Sequence, residues 1–346
     1  MNQTVLQKPK SKKTVITFVL LIILAIVAFT AFWFWAAQKI TQTSHTLKTN
    51  LSNQGTVLNC ENQEVKGYPF RLGVFCSSLS YANPIQGLDL SVSNIRSAAQ
   101  LYKPGHFIVE IDAPLKLNAP KLAPLLIKWD DMRSSANIST SSFKRLSLEG
   151  KDITIAANDA GFESPIGSLN NLQLHLRPTP NKAEKNALDV SAALTKWQVV
   201  NNSGGFHEPL SIDINASLDQ AMQLIQTRQD VMQYLKANGG SGVLNAATIK
   251  TDNGGDLQVS GPFEVSTNGR LSAKLTISLT EPKKLIDYAT AIFPPLKNST
   301  DEIMPFLEGF SNSTSGKTKI ENLKININDG QIFLGFFQIG KVPRLF

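Results

Sequence analysis

The sequence predicts a mainly β protein of the α+β class. An N-terminal transmembrane helix leads into a large antiparallel sheet, curved or folded over, with a few short helices. Three observations predict it. Val15 to Ala37 carries no charge and no proline over the roughly 20 residues that a helix needs to cross a hydrocarbon core. Beyond it, apolar and polar residues alternate with period two in run after run, which marks strands with one dry face and one wet face. Between the runs stand Asn268-Gly269 and Asp329-Gly330, the strongest short-range hairpin signal.

The apolar run comes first in the chain. Lys8, Lys10, Lys12 and Lys13 precede it, and Trp33 and Trp35 lie near its far end, where aromatic rings favour the membrane–water interface. The positive-inside rule makes residues 1–13 a cytoplasmic basic tail, 14–37 the span, 38–53 a helical stalk and 54–346 an exported β-rich domain. The localisation this implies is the bacterial inner membrane, crossed once, with the bulk of the chain in the periplasm. The rival reading is a cleaved signal peptide. A signal h-region is shorter, roughly 7–15 apolar residues, and this run ends in bulky Phe-Trp-Phe-Trp, which favours retention. No second apolar run approaches spanning length. The net charge of +7 owes four units to the lysines before the span, so the exported part is only mildly basic. No basic patch is interleaved with aromatics, which argues against nucleic acid as a partner.

After the stalk, Gln54-Gly55 breaks the helix and Thr56 begins a strand. Cys60 and Cys76 are the only cysteines, and in an exported chain an isolated pair reads as a disulfide rather than two separate buried thiols. Gly67 and Pro69 punctuate the stretch between them, so residues 60–76 read as a β-hairpin whose arms are stapled, worth roughly 3 kcal/mol on a loop-entropy basis. Alternation follows at Phe107–Ile111, Leu172–Leu176, Leu210–Ile214, Leu271–Leu279 and Ile325–Ile327. Residues 243–280 read as a meander, with Asn253-Gly254-Gly255 as a turn and Gly261-Pro262 as a bulge or edge break. Ser217 to Ala237 reads as the best helix, opened by a Ser217/Gln220 capping box and closed by Asn238-Gly239. Thr280 to Phe293 is a second, with Pro282 in its first turn and Pro294-Pro295 stopping it. Asp301 to Phe310 is a third, weakened by Pro305, and Lys121 to Trp129 holds a short helical piece. Lys182 to Lys185 reads as a loop tip, and two lobes could meet between residues 178 and 187.

Cys60, Gly67-Tyr68-Pro69-Phe70-Arg71 and Cys76, downstream of a single anchor, resemble a bacterial family of unknown function, DUF2125, known chiefly from alphaproteobacteria. The C-terminal run Ile325-x-Ile327-x-Asp329-Gly330-x-Ile332-x-Leu334-Gly335, then Ile339-Gly340-x-Val342-Pro343, resembles the closing strand pair of that family. The likeness spans roughly residues 40–346. More loosely, the scheme of strands, turns and short helices is similar to exported β-groove proteins of the AsmA type, which implies a role in handling lipids between envelope membranes. Strands of about ten residues reach roughly 33 Å, too short for one compact sheet to bridge a periplasm.

Catalytic motifs are absent: no Gly-x-Ser-x-Gly elbow, no His-Glu-x-x-His, no Walker loop and no Gly-x-Gly-x-x-Gly after a strand. His45, His106, His175 and His207 are scattered singly, so neither a metal site nor a cofactor is expected. His175 reads as a solvated strand position. Asp130-Asp131 beside Trp129 could pair as acid and base, but a solvated helix end is the commoner meaning. Two clusters remain. Tyr68, Phe70 and Arg71 read either as a turn packed under the sheet with Arg71 in an ion pair, or as a membrane-proximal contact with Arg71 near lipid phosphate. Ile332, Phe333, Leu334, Phe336 and Phe337 read either as a fully buried strand or as the floor of an apolar groove. Few helices are available to cover so many strands, which points to a non-enzymatic protein that binds or shields a phospholipid or other apolar ligand. The alternative is a structural or assembly factor that contacts envelope proteins through exposed sheet edges.

Overall fold

The computed structural model describes residues 12–346 except 104, 140–142, 160, 181–185, 201–204, 206, 228–229, 294–304, 306–308 and 315–316. The apolar run and the stalk form one helix, α1 (Lys12–Asn53), long and apolar enough to cross a membrane. Gly55, at φ 76°, turns the chain out of it.

Every described strand belongs to one antiparallel sheet, a meander whose first five strands are each creased into two segments that pair with segments of the neighbouring strands. The first arm is β1 (Val57–Glu61) with β2 (Glu64–Lys66), interrupted at Asn62, φ 47°. The second arm is β3 (Arg71–Cys76) with β4 (Ser78–Asn83), creased at Ser77. Arm pairs with arm as β1 on β4 and β2 on β3. The Cys60–Cys76 disulfide closes this hairpin at its crease, with 5.4 Å between the Cα atoms, as the sequence predicts. Three more creased strands follow: β5 (Leu88–Val92) with β6 (Ile95–Gln100), β7 (His106–Ile111) with β8 (Leu115–Asn118), and β9 (Leu125–Lys128) with β10 (Asp131–Ile138). Both halves of each strand keep their partners, β3–β6–β7–β10 on one side of the crease and β4–β5–β8–β9 on the other. The long β11 (Phe143–Asp159) receives both halves, β10 along its start and β9 along its end, bending at Asp152, φ 50°.

The meander then continues through β12 (Phe162–Pro178), β13 (Leu188–Val199), β14 (Leu210–Leu218), β15 (Gly240–Thr251), β16 (Asp256–Val265) and β17 (Leu271–Thr280). Pairing crosses from β12 to β13 with Leu172 to Pro178 opposite Leu188 to Leu194. The short β18 (Asn312–Thr314) flanks β19 (Lys317–Asn328), which pairs with β17. β20 (Gln331–Leu334) and β21 (Phe337–Lys341) close the order. Asp329-Gly330 makes the two-residue turn between β19 and β20 that its sequence demands. In β16 the pairing breaks at Gly261-Pro262. Toward β17 the register is unshifted across this break, and a Cβ on Gly261 would strike the Lys274 carbonyl, so glycine is required for the close approach of the two strands.

Strand register lines up the apolar alternation across the sheet. Leu148, Leu174, Ala192, Ile214, Ala247, Val259, Ile277 and Leu323 oppose one another in one unbroken row. Leu172, Leu194, Ile212, Ile249, Leu257 and Leu279 form the next row on the same face. Glu149, Gln173, Ala193, Asp213, Thr248, Gln258 and Ser278 line up on the other face.

Helices depart from expectation in two places. Ser217 does not cap a helix. The Leu210–Ile214 alternation runs on, Leu218 pairs with Leu188 and Gly242, and the Ser217 hydroxyl donates to Asp189 at 2.8 Å. Ladder hydrogen bonds on both sides outweigh one side-chain cap. The predicted helix therefore starts later and splits into α2 (Ala221–Thr227) and α3 (Val231–Asn238), the latter capped by Asp230 accepting from the Gln233 amide at 2.9 Å. Lys121 to Trp129 is not helical: Pro120 and Pro124 frustrate a helix, and Leu125–Lys128 becomes β9 between β8 and β11. The helix expected within Thr280–Phe293 is present as α4 (Pro282–Ile292), with proline in its first turn. The expected helix at Asp301–Phe310 and the loop tip at Lys182–Lys185 lie largely outside the described residues.

Candidate functional site

The Gly67–Arg71 turn joins β2 to β3 and meets α1. The Arg71 amide donates to the Gly67 carbonyl at 2.9 Å, and Gly67 sits at φ 118°, where a Cβ would meet the Arg71 backbone. This tight closure presents Tyr68 and Phe70 sideways to the helix. The Tyr68 hydroxyl lies 2.9 Å from Thr30 Oγ1, and the indole Nε1 of Trp33 donates to the Arg71 carbonyl at 2.8 Å. Tyr68 meets Trp33 edge-on, with ring centroids 5.6 Å apart, and stacks on Phe34 at 6.2 Å. Phe70 approaches Phe29 at 6.3 Å. Trp33 is the buried residue of α1, 5% exposed, although nearly all of its helical neighbours are open.

The turn thus packs against the helix and not under the sheet, and its partners all lie inside the uncharged Val15–Ala37 run. Arg71 makes no ion pair among the described residues. It lines a cleft of about 280 Å³ with Phe75, Arg96, Gln100, His106 and Glu110. Arg96 in that cleft is engaged: two of its nitrogens reach the Asp112 carboxylate at 2.7 Å each. The hydrogen bonds from Arg96, aided by one from Asn94, hold the Asp112 carboxyl below its ordinary value against the opposing effect of burial. Higher up, the stalk half of α1 lies along the first arm, with Gln63 Nε2 donating to Ser44 Oγ at 2.7 Å.

The second predicted cluster is divided. Ile332 and Phe333 are half-buried in β20, and Leu334 is buried with Ile320 and Leu323. Gly335, at φ 60°, then reverses the chain, and Phe336 and Phe337 stand at the tip, 100% and 72% exposed. These five residues do not form one continuous strand, because the chain reverses at Gly335-Phe336: Phe336 stands in the turn, and Phe337, paired with Leu334, opens β21 with its ring exposed.

The apolar groove candidate lies elsewhere, on the rows centred on Leu174 and Ile212. A sheet face closed by a second layer buries its leucines fully. Here Leu148, Leu174, Leu194, Ile212 and Val259 are half-buried and Ile214 is 37% exposed. Full burial along the meander is reached at separate positions, among them Ile153, Leu169, Ala216, Val265 and Ala273, and in two clusters. In the first, Ala221 and Met222 of α2 pack on Leu188 of β13; in the second, Ile320, Leu323 and Leu334 pack by the last hairpin. Single-strand alternation pointed to this face. The register that joins the strands into rows depends on pairing between distant residues and was not legible.

Polar clusters elsewhere are structural. His175 is half-buried rather than solvated: its Nδ1 lies 2.9 Å from Ser147 Oγ, which also accepts from Arg145 Nε at 3.2 Å. Ser147 is 5% exposed and closed to a substrate. Asp131 opens β10 and pairs with Arg133 at 2.6 Å, so the Asp130-Asp131 pair is not at a helix end. Among the described residues no group of three or more His, Cys, Asp or Glu could hold a metal ion.

Both the turn and the two cysteines fall within the span, residues 33–343, matched by the model of an uncharacterised protein family conserved in bacteria. The chain belongs to the DUF2125 family. The matched span opens on Trp33 and takes in all of β1 to β21. No curated protein and no solved structure matches the chain.

Proposed function

We propose that this DUF2125 protein is a non-enzymatic, inner-membrane-anchored periplasmic protein that holds a lipid-like apolar ligand along the open face of its sheet. The observation that carries this reading is the half-burial of the in-register rows through Leu174, Ile212 and Val259. About 25 cal/mol of stabilisation is available per Å² of apolar surface removed from water, and the part of these rows still open to water leaves some of it unrealised in the protein alone. An extended acyl chain matches a long, narrow, uniformly apolar strip. Two features support the anchor. Lys12 and Lys13 precede the apolar run, as cytoplasmic lysines do, and a Cys60–Cys76 disulfide fits an oxidising compartment. Cleavage after the run would strip Trp33 and Thr30 from the Gly67–Arg71 turn, so the packing supports a retained helix.

The test is native mass spectrometry of the full chain released from its own membranes, beside the double variant Leu174→Glu, Ile214→Glu. A stoichiometric lipid on the natural chain and its loss from the variant support the reading. Equal lipid on both, or none on the natural chain, overturns it. A second reading, an assembly factor working through protein contacts, draws on the last hairpin, where Phe336 and Phe337 stand exposed beside β21. A clean apo mass together with a partner protein captured at position 337 would favour that reading.

A further inference from the structure

The Gly67–Arg71 turn docks on α1 while leaving its own rings open: Phe70 is 63% and Tyr68 50% exposed. The level of that docking decides what lies against them. Thr30 and Phe29 hold the turn from inside the apolar run, and at 1.5 Å per residue they lie ~10 and ~12 Å below Ala37, where the run ends. Half of a hydrocarbon core is ~15 Å deep. At this level α1 itself presents Phe29, Phe32 and Phe34 outward, all exposed.

We infer that the Gly67–Arg71 turn is a second membrane element, a wedge sunk into the outer leaflet of the bilayer that α1 crosses. Phe70 lies among the acyl chains beside Phe29. Tyr68 spends its hydroxyl on Thr30, so no polar group of that side chain is stranded in lipid. The neighbouring turn extends the wedge: the Leu101 amide donates to the Phe70 carbonyl at 3.1 Å, and Tyr102 next to it is 66% exposed. Arg71 follows Phe70 with no carboxylate partner among the described residues; its carbonyl is held by Trp33, ~6 Å below Ala37, and its long side chain can carry the guanidinium up toward the lipid phosphates. The occupant is therefore the leaflet itself, because the surface is continuous with the spanning helix and lies at its depth. One consequence is mechanical. Fixed at α1 and at the turn, the first hairpin stands upright on the membrane and cannot swing on a stalk.

The inference rests on the spanning role of α1 and not on ligand binding, so the two fail separately. The experiment places p-benzoylphenylalanine at position 70 of the full chain in its native membrane, and in a second chain at position 162. Phe162 is 79% exposed in the β11–β12 turn, at the opposite end of the strands. Illumination is expected to give a lipid adduct at position 70 at least ten-fold above that at 162, with the Cys60–Cys76 disulfide intact as proof that the hairpin has formed. No lipid adduct at 70, an equal yield at both positions, or a protein adduct at 70 overturns the wedge. If the substitution at 70 prevents disulfide formation, the same probe at Tyr102 decides the matter on the same criteria.

Discussion

The two edges of the sheet are treated in opposite ways. The first, β1 with β2, lies along α1, is tied to it through Ser44 and Gln63, and is cross-linked to the second arm by Cys60–Cys76. The last, β21, is hydrogen-bonded only to β20 among the described residues, and has Phe336 and Phe337 exposed at its turn. An edge strand offers unpaired N–H and C=O groups to any passing chain, and proteins usually cover or blunt it. The covered edge is the one that adjoins the long apolar helix. The last edge is blunted only by its five-residue length and by Lys341, which leaves it available for pairing. Exposed aromatics make the same contrast. Tyr68 and Phe70 have a helix on one side, while Phe336 is fully exposed among the described residues.

Three variants break or sharpen this comparison. The largest effect is expected from Cys60→Ser with Cys76→Ser, which frees the first edge. Loop-closure entropy gives about 3 kcal/mol of lost stability. Urea unfolding of the full chain in detergent should show it, and reduction of the natural chain should reproduce it. An unchanged midpoint would mean that α1 alone holds the first edge. Smaller is Trp33→Phe, which keeps a ring but removes the Nε1 donor to the Arg71 carbonyl. About 1 kcal/mol is expected, from the loss of one hydrogen bond, and limited proteolysis at the Gly67–Arg71 turn should quicken accordingly. The smallest change in stability is expected from Phe336→Ser with Phe337→Ser, within about 0.5 kcal/mol because both rings face solvent. Sedimentation velocity should then show whether self-association or partner binding falls; unchanged association would remove these rings from any interface.

Much of this was legible in the residues. Leu271 to Leu279 alternates cleanly and is β17; Asp329-Gly330 is the turn it spells; Pro282 opens α4. The misreadings share a cause. Ser217 with Gln220 satisfies the grammar of a helix cap, but Ser217 and Leu218 also extend the alternation of β14, and two flanking strands decided the contest. Leu125 to Lys128 is too short to declare a period, so its place between β8 and β11 made it a strand. Phe336 sits in an unbroken apolar run, and the reversal at Gly335 is a backbone event that hydrophobicity does not report.

The sequence by itself determined the apolar span, the disulfide, most strands and most turns, because each depends on residues close together in the chain. Only the tertiary structure decided that the leucine rows align into one half-covered face and that Trp33 meets the turn 38 residues later. Period two specifies which side of a strand is apolar but not which residue of the next strand stands opposite. That choice, and the docking of Tyr68 and Phe70 on α1, follow from pairing and packing between segments distant in sequence.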